Sequence, residues 1–235
     1  MFFPIRDDQP RFSTPFVNYF LIGLNVAVFF FELAVAAQGR RALNGLMFQF
    51  GVVPVHFERA LAGSAHYTLG AALIMIFTSM FLHAGWSHIF FNMWGLWIFG
   101  DNVEDYVGHF TYLIFYLVCG SMAALTQIAL NLNSNIPTVG ASGAIAGVMG
   151  AYLVLFPRAK VWTWVVFIFF WWLPAWIPLI IWFLAQFFAG AASIADTRQT
   201  TGGIAVWAHV GGFLAGMILV KMLPRRTRAY RYGTW

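Results

Sequence analysis

Gly140-Ala141-Ser142-Gly143-Ala144-Ile145-Ala146-Gly147-Val148-Met149-Gly150 carries no charge and a single hydroxyl, and it opens an apolar segment that continues to Phe156. Ser142, Ala146 and Gly150 fall at i, i+4 and i+8, so they share one face of a helix. Gly140 and Gly143 flank the serine with further small residues. A small-residue stripe lets one membrane helix approach another closely. A matching surface occurs in Ala208-His209-Val210-Gly211-Gly212-Phe213-Leu214-Ala215-Gly216, where His209, Gly212 and Gly216 fall at i, i+3 and i+7 and the two glycines form GxxxG. Such stripes also serve plain packing, and a lone serine often caps its own helix. Here each stripe carries half of a nucleophile–base pair at its end. Docking the two segments stripe to stripe would bring the Ser142 hydroxyl within reach of the His209 imidazole, the arrangement that activates a serine.

The remainder of the chain puts both segments in a membrane. Of its 235 residues, 61% are hydrophobic and only 9% charged, against roughly 25% charged in an average soluble domain. A soluble enzyme and a disordered tail are excluded by that balance, and a disulfide scaffold by the single cysteine, Cys119. At about 20 residues per crossing, the apolar runs allow six spans in one all-α bundle. They are expected at about residues 16–37, 86–107, 110–130, 141–156, 173–190 and 202–223. The first span is too long for a signal-peptide core, so no cleaved leader is expected. The apolar stretch 69–82 is too short to cross and suits a re-entrant or interfacial segment within a long first loop. Residues 161–173, rich in Trp and Phe, are expected to be an interfacial lead-in to the fifth span.

Net charge of +5 invites a nucleic-acid reading, but the charges flank apolar segments instead. Arg6, Arg11, Arg158, Lys160, Lys221, Arg225, Arg226, Arg228 and Arg231 fall on one side of a six-span topology, and Arg40, Arg41, Arg59 and Arg198 on the other. The richer side reads as cytoplasmic. The chain therefore divides into a cytoplasmic segment 1–15, a transmembrane domain 16–223 and a basic cytoplasmic tail 224–235.

Polar residues inside spans are costly and point to function. His88 and Asn92, four residues apart, share a helix face and are candidate hydrogen-bond donors to a developing oxyanion. No acid is well placed to complete a triad. Asp196 lies in the loop before the last span, and a dyad suffices if the ring is otherwise oriented. The serine does not sit in a nucleophile elbow, because Ala144 stands where that motif needs glycine.

Taken together, Gly140-Ala141-Ser142-Gly143 resembles the GxSG motif of the rhomboid intramembrane serine proteases, Ala208-His209-Val210-Gly211-Gly212 their AHxxG motif, and His88-Ile89-Phe90-Phe91-Asn92 their HxxxN motif. The order and spacing match from about residue 50 to 223. The resemblance implies a six-helix bundle, Ser142 as nucleophile, His209 as base, and His88, Asn92 and the Ser142 N–H as the oxyanion hole. It further implies substrates that are transmembrane helices of other proteins, cut near the extracytoplasmic end in a lipid bilayer, with no cofactor, metal or nucleic acid involved. The cell (inner) membrane is the expected location, since the N-terminal residues lack the Arg- and Ser-rich amphipathic character of a mitochondrial leader. Glu104 resembles a structural carboxylate of the family, and the Trp-Arg pair that some members carry in the first loop is missing here. Ser79, His83, Ser87, His88 and Asn92 could hydrate the site, and the fifth span with loop 191–201 is the candidate gate. Three rivals are a catalytically silent rhomboid-like protein that binds membrane helices, a proton pathway through His88, His209, Asp101, Glu104 and Asp105, and a haem protein using the membrane histidines.

Overall fold

In a computed structural model, residues 2–165, 169–195 and 205–225 are described. Asp196, Thr197, Arg198, Thr200, Thr201, Arg226, Arg228 and Arg231 lie outside them. An apolar helix α1 (Phe16–Ala36) is followed by three short helices, α2 (Arg40–Phe50), α3 (Pro54–Leu61) and α4 (Leu69–Thr78), and a 3₁₀ turn at Ser79–Phe81. Then come α5 (Trp86–Val107), α6 (His109–Leu130), α7 (Ser142–Leu155), α8 (Trp176–Ala195) and α9 (Val206–Met222). Among the described residues, three helices are long and apolar enough to cross a membrane on their own: α1, α6 and α8. The segment Leu69–Phe81 meets α5 at 83°, a broken or re-entrant arrangement at the place where the sequence stops short of a span.

With 14 residues, α7 is apolar on every face, and Gly143 through Leu153 are all buried. A helix without a polar side belongs in the middle of a bundle. Its neighbours α5, α6 and α9 enclose it. The contact with α9 is backbone on backbone. A Cβ on Gly212 would stand 2.0 Å from the Gly143 carbonyl oxygen, and one on Gly216 would stand 1.9 Å from that of Gly147. Gly150 faces the Phe213 carbonyl at 2.2 Å in the same sense. The seam on α7 thus runs through Gly143, Gly147 and Gly150: it keeps Gly150 of the expected stripe and uses Gly143 and Gly147, each one residue beyond Ser142 and Ala146. Ala146 is buried next to it.

On α1, Asn18, Asn25 and Glu32 recur every seven residues and are all buried. Pro15 at its N-cap offers no side-chain acceptor. Glu104 of α5 fills that role, taking the N–H groups of Val17 at 3.0 Å and Asn18 at 2.7 Å while also bonding His109. These donors have no partner within the helix, and a carboxylate there also meets the positive end of the helix dipole. Asn18 links onward to the Leu96 carbonyl and the Tyr112 hydroxyl. At the other end, both Glu32 oxygens accept the His83 N–H, at 3.0 and 3.2 Å, fixing the break before α5.

The expected interfacial lead-in is instead sheet. Strands β1 (Phe2–Asp7), β2 (Lys160–Val165) and β3 (Phe169–Pro174) pair antiparallel in that order, with Trp162 opposite Trp172. Alternating β-branched and aromatic residues favour a pleated surface. The sheet packs on the bundle through β1: Phe3 stacks on Trp94, whose indole N–H donates to the Pro4 carbonyl. At the far end of the strand, the Tyr152 hydroxyl donates to Asp7.

Two outcomes are expected. Gly216→Ala should push α7 and α9 apart, lowering stability by about 1–3 kcal/mol in a detergent melt, whereas Gly23→Ala, with nothing within 4 Å, should leave it nearly unchanged. Burial raises the Asp7 carboxyl to about 6, outweighing the Tyr152 hydrogen bond that lowers it. The folded state therefore holds this proton more tightly than the unfolded one. Stability should decline as pH rises from about 4 to about 6, by on the order of 2 kcal/mol, and Asp7→Asn should flatten that slope.

Candidate active site

Ser142 is the first residue of α7, and the chain reaches it through Gly140, whose φ of +126° is a region that side-chain-bearing residues avoid. The Gly140 N–H donates to the Ser79 carbonyl at 2.8 Å. Earlier in the same loop, Thr138 and Val52 exchange both backbone hydrogen bonds. The loop therefore delivers the serine from a fixed anchor. Because Ser142 opens the helix, its own N–H and the next few lack intrahelical acceptors, and the helix dipole favours negative charge there.

His209 lies on the first turn of α9 and is buried. Its Nε2 stands 2.7 Å from the Ser142 hydroxyl oxygen. Its Nδ1 stands 2.7 Å from Oε1 of Gln186 on α8. Trp182, one turn earlier on α8, lies against the same imidazole with ring centroids 5.6 Å apart. The neighbouring Ala208 N–H donates to Gln127 of α6 at 3.2 Å, fastening the start of α9.

His88 approaches from α5. Its Nδ1 accepts the Ala84 N–H at 3.3 Å, so a neutral ring carries its proton on Nε2, as a donor. A Cβ built on Gly140 would stand 2.7 Å from His88 Nε2 and 3.6 Å from the Ser142 hydroxyl oxygen, so both groups border that glycine. Asn92, one turn further along α5, is buried, and its Nδ2 has no hydrogen-bond partner among the described residues. His83 is also buried, with its ring 5.1 Å from that of His88 and neither nitrogen partnered among the described residues. Ser79 is buried with its hydroxyl on the Ile76 carbonyl, whereas Ser87 is exposed. Asp101, Glu104 and Asp105 gather instead around the start of α1, where Ser13 and the Phe12 N–H bond Asp105 and Arg11 pairs with Asp101. Among the described residues no three of His, Cys, Asp and Glu converge as a metal site requires.

Two amides, Gln186 and Gln127, escape the reading of motifs. Gln186 was legible by its own rule, being the one amide in the otherwise apolar run of α8. The helix also continues to Ala195, taking in half of the expected loop 191–201.

Apolar helices, a half-buried serine against a buried imidazole and glycine-on-carbonyl packing define a membrane-embedded helical protein with a hydrolase-like site. The Rhomboid domain model matches residues 70–226, most of the chain, and the chain belongs to the rhomboid family. It is an integral membrane protein. Rhomboid protein 1, mitochondrial, of Saccharomyces cerevisiae is 32% identical over 153 residues, which make up 62% of this chain and 40% of that protein. Rhomboid-like protein 11, chloroplastic, of Arabidopsis thaliana is 32% identical over 159 residues, 63% of this chain and 51% of its own length. Rhomboid protease GluP of Bacillus subtilis is 37% identical over 78 residues, 33% of this chain and 15% of that protein. The chain thus spans about half or less of the length of these curated relatives.

Gly140→Ala should force its Cβ into the His88 ring. The expected result is a rate of Ser142 modification by a fluorophosphonate at least about tenfold below the unsubstituted chain, read by mass spectrometry.

Proposed function

We propose that this chain is an intramembrane serine endopeptidase, hydrolysing peptide bonds in or near transmembrane helices of other membrane proteins through a Ser142–His209 dyad. The observation that supports it most is the 2.7 Å approach of the buried His209 Nε2 to the half-buried Ser142 hydroxyl, made by residues 67 apart in sequence. As the hydroxyl oxygen attacks the scissile carbonyl, its proton passes to Nε2. The imidazolium then returns that proton to the leaving amine, and a water activated by the same ring releases the acyl group. Charge on the carbonyl oxygen is met by the Ser142 N–H at the head of α7, by His88 Nε2–H and by the Asn92 amide, whose Nδ2 has no partner among the described residues.

A 14-residue helix is about 21 Å long, against about 30 Å of bilayer core, so a serine at its end is sunk below one membrane surface. The distribution of basic residues supports an extracytoplasmic opening with both termini cytoplasmic, and the cell membrane is the location proposed with it. The partners are helices of membrane proteins presented by the bilayer.

Cleavage of a model transmembrane substrate in detergent tests the proposal. Ser142→Ala and His209→Ala should each abolish cleavage while melting normally, and Asn92→Ala should lower it roughly 100-fold. A folded, unsubstituted chain that neither cuts nor takes up a fluorophosphonate would return the assignment to a silent, helix-binding rhomboid-like protein.

A further inference from the structure

We propose that Gln186 of α8 is a positioning residue that completes the dyad, holding the His209 imidazole in the tautomer that makes Nε2 a base. The inference rests on the reading of Ser142 and His209 as nucleophile and base, and it deepens that reading.

A neutral imidazole has one donor nitrogen and one acceptor nitrogen, and only the unprotonated one can take the serine proton. At His209 the two nitrogens have distinct partners, Ser142 on Nε2 and Gln186 on Nδ1, each at 2.7 Å. The two bonds constrain each other. If Oε1 of Gln186 accepts the Nδ1 proton, Nε2 is bare and receives the Ser142 hydroxyl hydrogen. If the amide turned its NH₂ toward Nδ1, the ring proton would move to Nε2 and the ring could no longer act as base. Only the first arrangement pairs a donor with an acceptor at both contacts while leaving the serine activated.

Serine–histidine sites commonly place a carboxylate in this position. An amide serves differently: it fixes the tautomer and the ring angle without adding charge. That suits a site walled by apolar helices, where an unpaired carboxylate would be expensive to bury. Trp182 lies one turn away on the same face of α8 and covers the ring, so two side chains of one helix hold the imidazole by its edge and its face. Gly190 allows this approach. A Cβ there would stand 2.9 Å from the Trp207 indole at the start of α9. The base on α9 is therefore aligned only while α8 is seated against it.

The test uses the full chain in detergent with three proteins: unsubstituted, Gln186→Met and Gln186→Glu. Met keeps the length and loses the acceptor, whereas Glu keeps an acceptor oxygen. The readouts are the maximal rate of Ser142 modification by a fluorophosphonate, the probe concentration giving half that rate, and the melting temperature. Gln186→Met should lower the maximal rate roughly 10- to 100-fold, with half-saturation and melting unchanged, while Gln186→Glu stays within about threefold of the unsubstituted chain. An unchanged rate in Gln186→Met would overturn the proposal. So would a parallel loss of rate and melting temperature in both variants, which marks a residue that only packs. If the unsubstituted chain is not modified at Ser142 at all, the dyad reading itself falls first, and the proposal falls with it.

Discussion

The approach of α7 to α9, glycine against backbone carbonyl, governs the rest of this molecule. Cβ positions at 1.9 and 2.0 Å from the facing carbonyl oxygens leave no room for any side chain at Gly216 or Gly212. Lipid tails are as apolar as leucine, so burial alone gives membrane helices little reason to associate. Close van der Waals contact supplies that reason. The seam also serves as a ruler. Ser142 and His209 sit at its end, and a separation of even one ångström would stretch their 2.7 Å contact beyond useful hydrogen bonding.

Around that seam, polar groups in the apolar bundle act at chain breaks and helix ends. Glu104 closes the open end of α1, Glu32 holds the bend before α5, and Gln127 fastens the first turn of α9. Glu104 and Glu32 place acceptors on N–H groups that neither a helix nor lipid can satisfy, and Gln127 gives the Ala208 N–H a second acceptor beside the Ala205 carbonyl. The same logic makes His88, Asn92 and the head of α7 a receptive cluster of donors. Asn92 Nδ2 is left without a partner among the described residues, so a polar ligand atom arriving there relieves a cost already present.

Much of this could be read from the residues alone. Apolar length marked the long helices, and small-residue spacing marked the α7 and α9 surfaces that meet; Gly150 of the expected stripe is in the contact, while Gly143 and Gly147 take the places of Ser142 and Ala146. Periodicity tells which face is small; the crossing geometry decides which of two adjacent small faces touches. Asn18, Asn25 and Glu32 were equally legible as a seven-residue repeat of polar groups in an apolar helix; Asn25 bonds the Leu21 carbonyl of its own helix, and the other two gain meaning only from Leu96 on α5 and His83 in the turn before it. Gln186 carried the same signal. The sheet was hidden for a different reason: 161–173 is so rich in aromatics that its composition suits a membrane interface and a strand alike, and its partner β1 lies far away in sequence.

That distance has a consequence for how the chain is made. β1 leaves the ribosome well before its mate, because the Lys160 N–H that bonds Asp8 follows 152 residues later. At about 5–20 residues per second, the strand waits on the order of ten seconds for its mate. During that interval α1, α5, α6 and α7 enter the bilayer, and the edge of β1 has only water, chaperone or lipid headgroups to satisfy it. β2 and β3 are nevertheless made before α8 and α9, so the sheet can close ahead of the α7–α9 seam. It joins the segment before α1 to the segment after α7, a latch on a bundle that α9 has still to complete.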